Sequence, residues 1–235
     1  WGVAGAAIAT VASSLVGGVV PLVYFLLPNK SPLHLTKTRL EGRVLAQTCT
    51  NGSSEMMSNL STSLVSILYN FQLMRLIGED GVAAFGVIMY VNFIFIGVFM
   101  GYSIGAGPIV SFHYGAGNQG ELRSLLRKSL LLMLAGCAGL TAAAVALAGP
   151  LSRIFVGYDP ELLALTTRGF RLYALSFLAM GFNIFGSAFF TALSSGVISA
   201  AIAFLRTLLF QTAAIFVLPL FLGLDGIWLA VTAAE

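Results

Sequence analysis

Charged residues are scarce in this chain: they make up 9% of its 235 residues, whereas hydrophobic residues make up 58%. A soluble globular domain usually carries about 25% charged residues. Because so few charges cannot cover a water-exposed surface, the composition excludes an ordinary soluble domain. It predicts a membrane protein whose surface is covered by lipid.

Cysteine and histidine are also rare, with two residues of each. Cys49 and Cys137 lie within apolar or helical stretches, and His34 and His113 are far apart in sequence. This pattern is not that of a disulfide framework or a metal site, and it argues against an enzyme, which needs convergent nucleophile, base or metal groups. The net charge of +3 is small, and the basic residues fall between apolar runs, so no nucleic-acid partner is predicted.

Long apolar runs are what the chain does contain. A membrane-spanning helix needs about 20 mainly apolar residues. Six stretches qualify, and a seventh begins at Gly226; the six cover residues 3–27, 44–73, 82–112, 129–148, 169–193 and 197–222. Most connectors between them are short, which favours antiparallel neighbours in an all-α transmembrane bundle.

The distribution of Lys and Arg predicts the orientation of the bundle. Seven basic residues follow the first and third stretches, against four on the opposite side, so the first set is expected in the cytoplasm. The seven are Lys30, Lys37, Arg39, Arg43, Arg123, Arg127 and Lys128, and the four are Arg75, Arg153, Arg168 and Arg171. The longest connector, at 28–43, is interpreted as a junction between two halves of a larger protein. The ends of the chain are interpreted as cut within a longer sequence.

A weak internal repeat supports two halves. The opening "GVAGAAIAT" resembles "GIWLAVTAA" at residues 226–234. The two lie six spans apart, as expected for parallel repeats of six helices.

The second span carries an organised stripe of polar residues. At about 100° per residue, seven polar side chains fall on one side of the helix. They are Thr48, Asn51, Glu55, Asn59, Thr62, Ser66 and Asn70, and the opposite side holds Met57, Leu60, Leu64, Leu68 and Phe71. The stripe predicts one wall of a watery cavity; the alternative is that the hydroxyl groups hold helices together.

Among the residues of the stripe, Glu55 has the highest free-energy cost of insertion into a bilayer. A charged side chain at the bilayer centre costs at least about 2.5–3.5 kcal/mol, so such a residue usually serves a function. The carboxylate could exchange a proton, or hold a sodium ion together with nearby Asn and Ser oxygens. The alternatives are a neutral Glu bonded to neighbouring amides and a carboxylate at the headgroup level.

Other spans contain further polar or helix-bending residues. Asn92 and Asn183 either line the cavity with Glu55 or form interhelical hydrogen bonds, while Arg206 is expected to extend to the membrane interface. Pro108 removes a backbone donor and favours a kink, and Gly105 permits close packing or bending beside it.

These motifs, taken in order, resemble the multidrug and toxic compound extrusion (MATE) family. The resemblance is carried by the Gly105-x-x-Pro108-x-x-Ser111 pattern followed by "GAGN" at 115–118, by "GSSEMMSNLSTSLVSILYN" at 52–70, and by Arg206 with the downstream "LPLFLGLDGIWLA". It covers essentially the whole chain. It implies a twelve-helix transporter with two six-helix lobes around a central cavity.

The resemblance also implies a domain assignment and a site. Residues 1–27 would be the last helix of the first lobe, 28–43 the cytoplasmic connector, and 44–235 the second lobe, with five full helices and the start of a sixth. Glu55 matches the acidic residue that many members carry on the first helix of the second lobe. Asn183 stands near the position where some members carry an aspartate, which weakens the case for a two-carboxylate sodium site.

The function implied is export of organic cations and other amphipathic compounds in exchange for H⁺ or Na⁺ by alternating access. It needs no cofactor and no resident metal, apart from a possible Na⁺ at Glu55. The expected location is the plasma membrane, as a multi-pass protein of the prokaryotic inner membrane. The alternatives are a lipid-linked oligosaccharide flippase of related fold, whose cavity needs several cations, and a channel or receptor, for which no repeated pore motif is evident.

Overall fold

The described chain, residues 2–27 and 40–235 of a computed structural model, is built from helices and the turns that join them. The expected all-α fold is therefore confirmed for these residues. The helices are α1 Gly2–Leu26, α2 Gly42–Leu76, α3 Glu79–Gly115, α4 Gln119–Val156, α5 Pro160–Ala174, α6 Phe177–Ala192, α7 Gly196–Ala203, a π-helical segment Phe204–Gln211, α8 Thr212–Leu222 and α9 Leu224–Ala234.

The chain divides into two compact units, residues 1–45 and 46–235. The described part of the first unit is α1 and the first residues of α2. The second unit contains the rest of α2 and all later helices. The predicted connector at 28–43 lies largely outside the described residues, since the description resumes at residue 40.

Four of the described helical stretches are long and apolar enough to cross a membrane, and a bent pair makes a fifth. The four are Ala7–Leu26, Glu79–Gly115, Gln119–Val156 and Gly196–Leu222, and the pair is Pro160–Ala174 with Phe177–Ala192. The chain is thus a multi-pass membrane protein. α2 has ample length, at 35 residues, but its polar first half leaves it outside this set, although the sequence predicts a span there.

The fifth predicted span, at 169–193, is not one straight helix. It is replaced by α5 and α6, which meet at an angle of 50°. The helix predicted at 129–148 is likewise longer and covers 38 residues, because it continues at both ends into segments that contain charged residues and that hydropathy does not assign to it. Asn118 begins that helix, and its side chain accepts a hydrogen bond from the Glu121 backbone N–H, as a capping residue does.

The core of the second unit lies where α2 to α6, α8 and α9 meet. The Trp228 ring is fully buried on α9, and Gly169 on α5 leaves room for it, because a Cβ there would lie 2.8 Å from the ring. Tyr69 of α2 stacks on Phe85 of α3 with ring centroids 4.8 Å apart. Phe95 of α3 stacks in the same way on Phe177 of α6. This aromatic core positions the polar residues described next.

Candidate transport site

α2 packs on the bundle through a face that is neither the polar stripe nor the apolar side opposite to it. The buried positions are Ser61, Val65, Tyr69, Gln72 and Leu73. At 3.6 residues per turn, most of them lie about 100° around the helix from the polar stripe. The apolar flank stays exposed as well, with Leu60 and Leu64 about half exposed and Phe71 62% exposed. The polar stripe and the apolar side of α2 are therefore both left uncovered by the core of the second unit.

The central part of the polar stripe is exposed along α2. Glu55, Asn59, Thr62 and Ser66 all lie on the uncovered side, and among the described residues Glu55 forms no ion pair. The Asn59 side-chain amide donates to the Glu55 backbone carbonyl at 2.9 Å, and the Thr62 hydroxyl donates to the Ser58 carbonyl at 2.8 Å. Because these bonds stay within the helix, the Glu55 carboxylate remains available to a ligand.

The stripe meets the bundle near its two ends. Thr48 is exposed at the start of α2, whereas Asn51 and Asn70 are half-buried. The Asn51 amide donates to the Thr191 carbonyl on α6 at 3.4 Å, and the Asn70 amide donates to the Ser66 carbonyl of its own helix. Asn51 therefore acts partly as an interhelical contact.

The approach between α2 and α7 at this end is close. A Cβ at Gly196 would lie 2.5 Å from the Asn51 Cα, so only glycine allows the two helices to touch here. On the neighbouring helix α3, the Ser111 hydroxyl donates to the Ala192 carbonyl at 2.9 Å. These contacts fix the start of the stripe against the ends of α6 and α7.

Asn92 and Asn183 occupy different environments. Asn92 is buried on α3, and its amide donates to the Met89 sulfur at 3.9 Å, while its Oδ1 is buried without a hydrogen-bond partner. Asn183 on α6 donates to both the side-chain Oε2 and the backbone carbonyl of Glu235, each at 2.7 Å. For Asn183 the interhelical interpretation is therefore the one that the contacts support.

Glu235 is a functional candidate that the sequence reasoning does not identify. Its side chain is 7% exposed, and its Oε2 also accepts from Arg206 Nη1 of the π-helical segment at 3.4 Å. The signal was present in the sequence: Glu235 follows the apolar residues 226–234 and Arg206 lies within another apolar stretch. Opposite charges in such stretches are expected to pair. Arg206 is 25% exposed and faces this carboxylate, so it does not simply extend to the membrane interface.

The predicted bending residues of α3 lie on its exposed side. α3 runs through Pro108 as one helix of 37 residues, and Pro108 and Gly105 are both exposed. A Cβ at Gly105 would meet no atom within 4 Å, so packing among the described residues does not require glycine there.

Comparison with known proteins identifies relatives of this arrangement. The MatE family model matches residues 56–217. A search of curated proteins finds no match.

Solved structures with the same fold include a crystal structure of MATE in complex with MaL6 and an outward-facing multidrug resistance MATE family transporter of the MOP superfamily. The first matches with a TM-score of 0.90 and 20% sequence identity, and the match covers 99% of this chain and 53% of that one. The second matches with a TM-score of 0.89 and 20% sequence identity, and the match covers 100% of this chain and 53% of that one. A MOP superfamily transporter from Pyrococcus furiosus, described as having a binding pocket of reverse polarity, matches with a TM-score of 0.91 at 20% identity, over 100% of this chain and 53% of that one. The chain therefore spans about half the length of the solved structures that it matches.

Proposed function

The chain belongs to the MatE family of membrane transporters, and we propose that the full-length protein is a secondary antiporter. It exports organic cations and other amphipathic compounds in exchange for H⁺ or Na⁺ by alternating access. It requires no cofactor and catalyses no chemical reaction. The fold shared with a multidrug resistance MATE family transporter supports this proposal.

The same proposal assigns the parts of the chain. Residues 1–27 are the last helix of the first lobe, residues 28–43 the cytoplasmic connector, and residues 44–235 the second lobe. The partner of this lobe is the N-terminal lobe of the same protein, and the location is the plasma membrane, as in a prokaryotic inner membrane. The match to about half of each solved structure supports this assignment.

The observation that carries the proposal is the exposed polar face of α2. Glu55 lies on this face, which the core of the second unit does not use. A carboxylate within a bilayer must meet water or protein, because lipid tails offer it no hydrogen bonds. We therefore place the central cavity against the stripe, with Glu55, Asn59, Thr62 and Ser66 toward the cavity and Asn51 and Asn70 at its ends.

In this scheme Glu55 couples the two fluxes by competition. Either the coupling ion or a cationic substrate neutralises the carboxylate, so binding of one favours release of the other. A cavity wall of Phe and Met side chains is proposed to give varied amphipathic substrates an adaptable apolar surface. Asn92, with its unsatisfied buried Oδ1, is proposed as a nearby polar partner, and Gly105 and Pro108 as the bending point of α3.

The flippase alternative is not favoured by the position of Arg206. A lipid-linked pyrophosphate needs several unneutralised cations, whereas the guanidinium of Arg206 lies against the Glu235 carboxylate. The arrangement thus favours cationic or neutral cargo.

The test is export of a fluorescent organic cation by the full-length protein in proteoliposomes, with sodium and proton gradients imposed separately. Export driven by at least one gradient is expected, and the gradient that drives it identifies the coupling ion. Absence of export under both gradients, from vesicles that contain folded protein, would contradict the antiporter assignment.

A further inference from the structure

An ion pair with an amide partner lies inside the bundle, apart from the stripe on α2. Three elements contribute: Asn183 from α6, Arg206 from the π-helical segment and Glu235 at the end of α9. Asn183 Nδ2 and Arg206 Nη1 both converge on Glu235 Oε2, at 2.7 Å and 3.4 Å. α9 itself is buried on most sides, with Trp228, Ala230 and Val231 at or below 4% exposure.

A buried ion pair usually contributes little to the free energy of folding. Burial removes water from both ions, and buried pairs can often be replaced by well-packed apolar residues without loss of stability. Ionisable residues inside membrane proteins are correspondingly rare, and they mark ion and proton pathways. The cluster therefore calls for a functional interpretation.

The geometry also allows the pair to open. The contact with Arg206 is single and long, and the guanidinium is the more exposed partner, at 25% against 7% for the carboxylate. Arg206 lies on a π-helical segment, a local widening of the helix that is frequent at functional sites. The guanidinium can thus move away from Glu235 toward its own exposed side, while the hydrogen bond from Asn183 to the carboxyl group remains.

Asn183 suits both charge states of Glu235. Its amide N–H donates to a carboxylate oxygen, and it can donate equally to the carbonyl oxygen of a neutral carboxylic acid. The Arg206 guanidinium attracts the ionised form more strongly, because only that form carries a charge. Loss of the proton therefore strengthens the contact with Arg206, while the bond from Asn183 is available in both states.

We propose that Glu235 is a proton-exchange group of this lobe, separate from Glu55. When its contact with Arg206 opens, the carboxylate takes one proton from water and becomes a neutral carboxylic acid. When the contact reforms, the acid returns that proton to water. This inference rests on the proposed transport function and adds a residue of α9 to it.

The surroundings of Glu235 contain few other groups that could titrate in its place. Tyr173 of α5 and Cys137 of α4 are buried titratable residues of the same unit. α8 contributes no titratable side chain, and Asn183 of α6 is not titratable. At neutral pH an ordinary tyrosine or cysteine is mainly protonated, so the Glu235 carboxylate is the candidate for exchange.

A hydrogen bond inside the core joins α9 to the helix that carries the stripe. The Tyr69 hydroxyl of α2 donates to the Ile227 backbone carbonyl of α9 at 2.8 Å.

The first test uses the unaltered full-length protein. A hydrophobic carbodiimide adds to protonated carboxyl groups in apolar surroundings, and peptide mass spectrometry locates the adduct. Labelling of Glu235 is expected in acidic buffer and should decline in alkaline buffer. Asp225, near the start of the same helix and paired with the exposed Arg168, should stay unlabelled in both. Absence of label on Glu235 at acidic pH would overturn the proposal.

The second test measures export driven by a pH gradient. Glu235→Gln should abolish it, and so should the double variant Glu235→Gln/Arg206→Gln, which removes both charges and leaves no ion unpaired if the single variant fails to fold. Asp225→Asn is the matched control and should export like the unaltered protein. Export at the unaltered level by a folded Glu235 variant would overturn the proposal.

The two proposals fail in distinguishable ways. If the unaltered protein exports nothing under any gradient, the antiporter assignment fails, while the labelling experiment still decides whether Glu235 binds a proton. If export occurs but Glu235 is unlabelled, only the inference about Glu235 fails.

Discussion

Gly181 of α6 lies at a crossing of three helices, where an added methyl group has no space. A Cβ at this position would lie 2.6 Å from the Cys137 sulfur of α4 and 2.7 Å from the Phe99 ring of α3. Both neighbours are 1% exposed, so neither can move away into solvent. Real Cβ atoms do not approach other atoms so closely, and we expect Gly181→Ala to push α6 outward.

The size of the effect follows from two opposing contributions. Overpacking of a core costs about 1–3 kcal/mol, whereas replacing Gly by Ala within a helix stabilises it by up to about 1 kcal/mol. The net fall in the free energy of unfolding is expected near the middle of the range that these values allow, at about 1–2 kcal/mol. In a unit of this size that corresponds to a decrease of about 2–8 °C in the unfolding temperature.

Thermal unfolding of the full-length protein in detergent measures this change. The matched control is Gly139→Ala in α4, where a Cβ meets no atom within 4 Å and the unfolding temperature should stay equal or rise. Adding Cys137→Ala to Gly181→Ala removes the sulfur and should recover part of the loss. Equal unfolding temperatures for the Gly181 and Gly139 variants would refute the close packing of α6 described here.

Three further substitutions test separate contacts by the same unfolding measurement. Arg206→Gln removes the counter-ion of Glu235 and should cost up to about 3–5 kcal/mol at alkaline pH, where the carboxylate stays ionised, and less at acidic pH, where it is neutral. Most of the loss should be recovered when Glu235→Gln is added; equal losses in the single and double variants would contradict the pairing. Tyr69→Phe removes the buried hydrogen bond to the Ile227 carbonyl and should cost about 1–3 kcal/mol, whereas no change would exclude that bond. Asp225→Asn breaks an ion pair whose arginine is 67% exposed and should cost no more than about 1 kcal/mol, so a larger loss would show a stronger role for that pair.

Much of the fold follows from the sequence because hydropathy responds to the bilayer directly. Runs of apolar residues predict α1, α3, and the stretch from α7 to α8 with nearly correct bounds. Hydropathy fails where a helix continues beyond the apolar run, as at the start of α4. It also fails to detect the break between α5 and α6, since the residues next to the bend, such as Tyr173, Ala174 and Phe177, continue the apolar run without a turn signal.

The candidate site is less fully predictable. Helical periodicity groups Glu55 with Asn59 and Thr62 on one face, and the structure keeps that face together. Periodicity cannot tell which face packs on the bundle, and the buried face turns out to be that of Ser61 and Val65. The choice depends on side chains of α3 and α9 that are distant in sequence, such as the Phe85 ring that stacks on Tyr69.

The partnership of Asn183 with Glu235 could not be derived from local pattern either. The two residues are 52 positions apart, and their meeting depends on how α6 and α9 pack. What the sequence offered was an unpaired charge in each of two apolar stretches. A search for opposite charges at such places would have found Arg206 and Glu235.

The central claim is that the Glu55 carboxylate couples the ion gradient to export. The most direct test compares Glu55→Gln with Glu79→Gln, which neutralises an exposed carboxylate at the first turn of α3, outside the stripe. Ion-driven export of a fluorescent cation by the full-length protein is measured in proteoliposomes. We expect the Glu55 variant to lose gradient-driven export and the Glu79 variant to retain it. Undiminished export by folded Glu55→Gln protein would contradict the account.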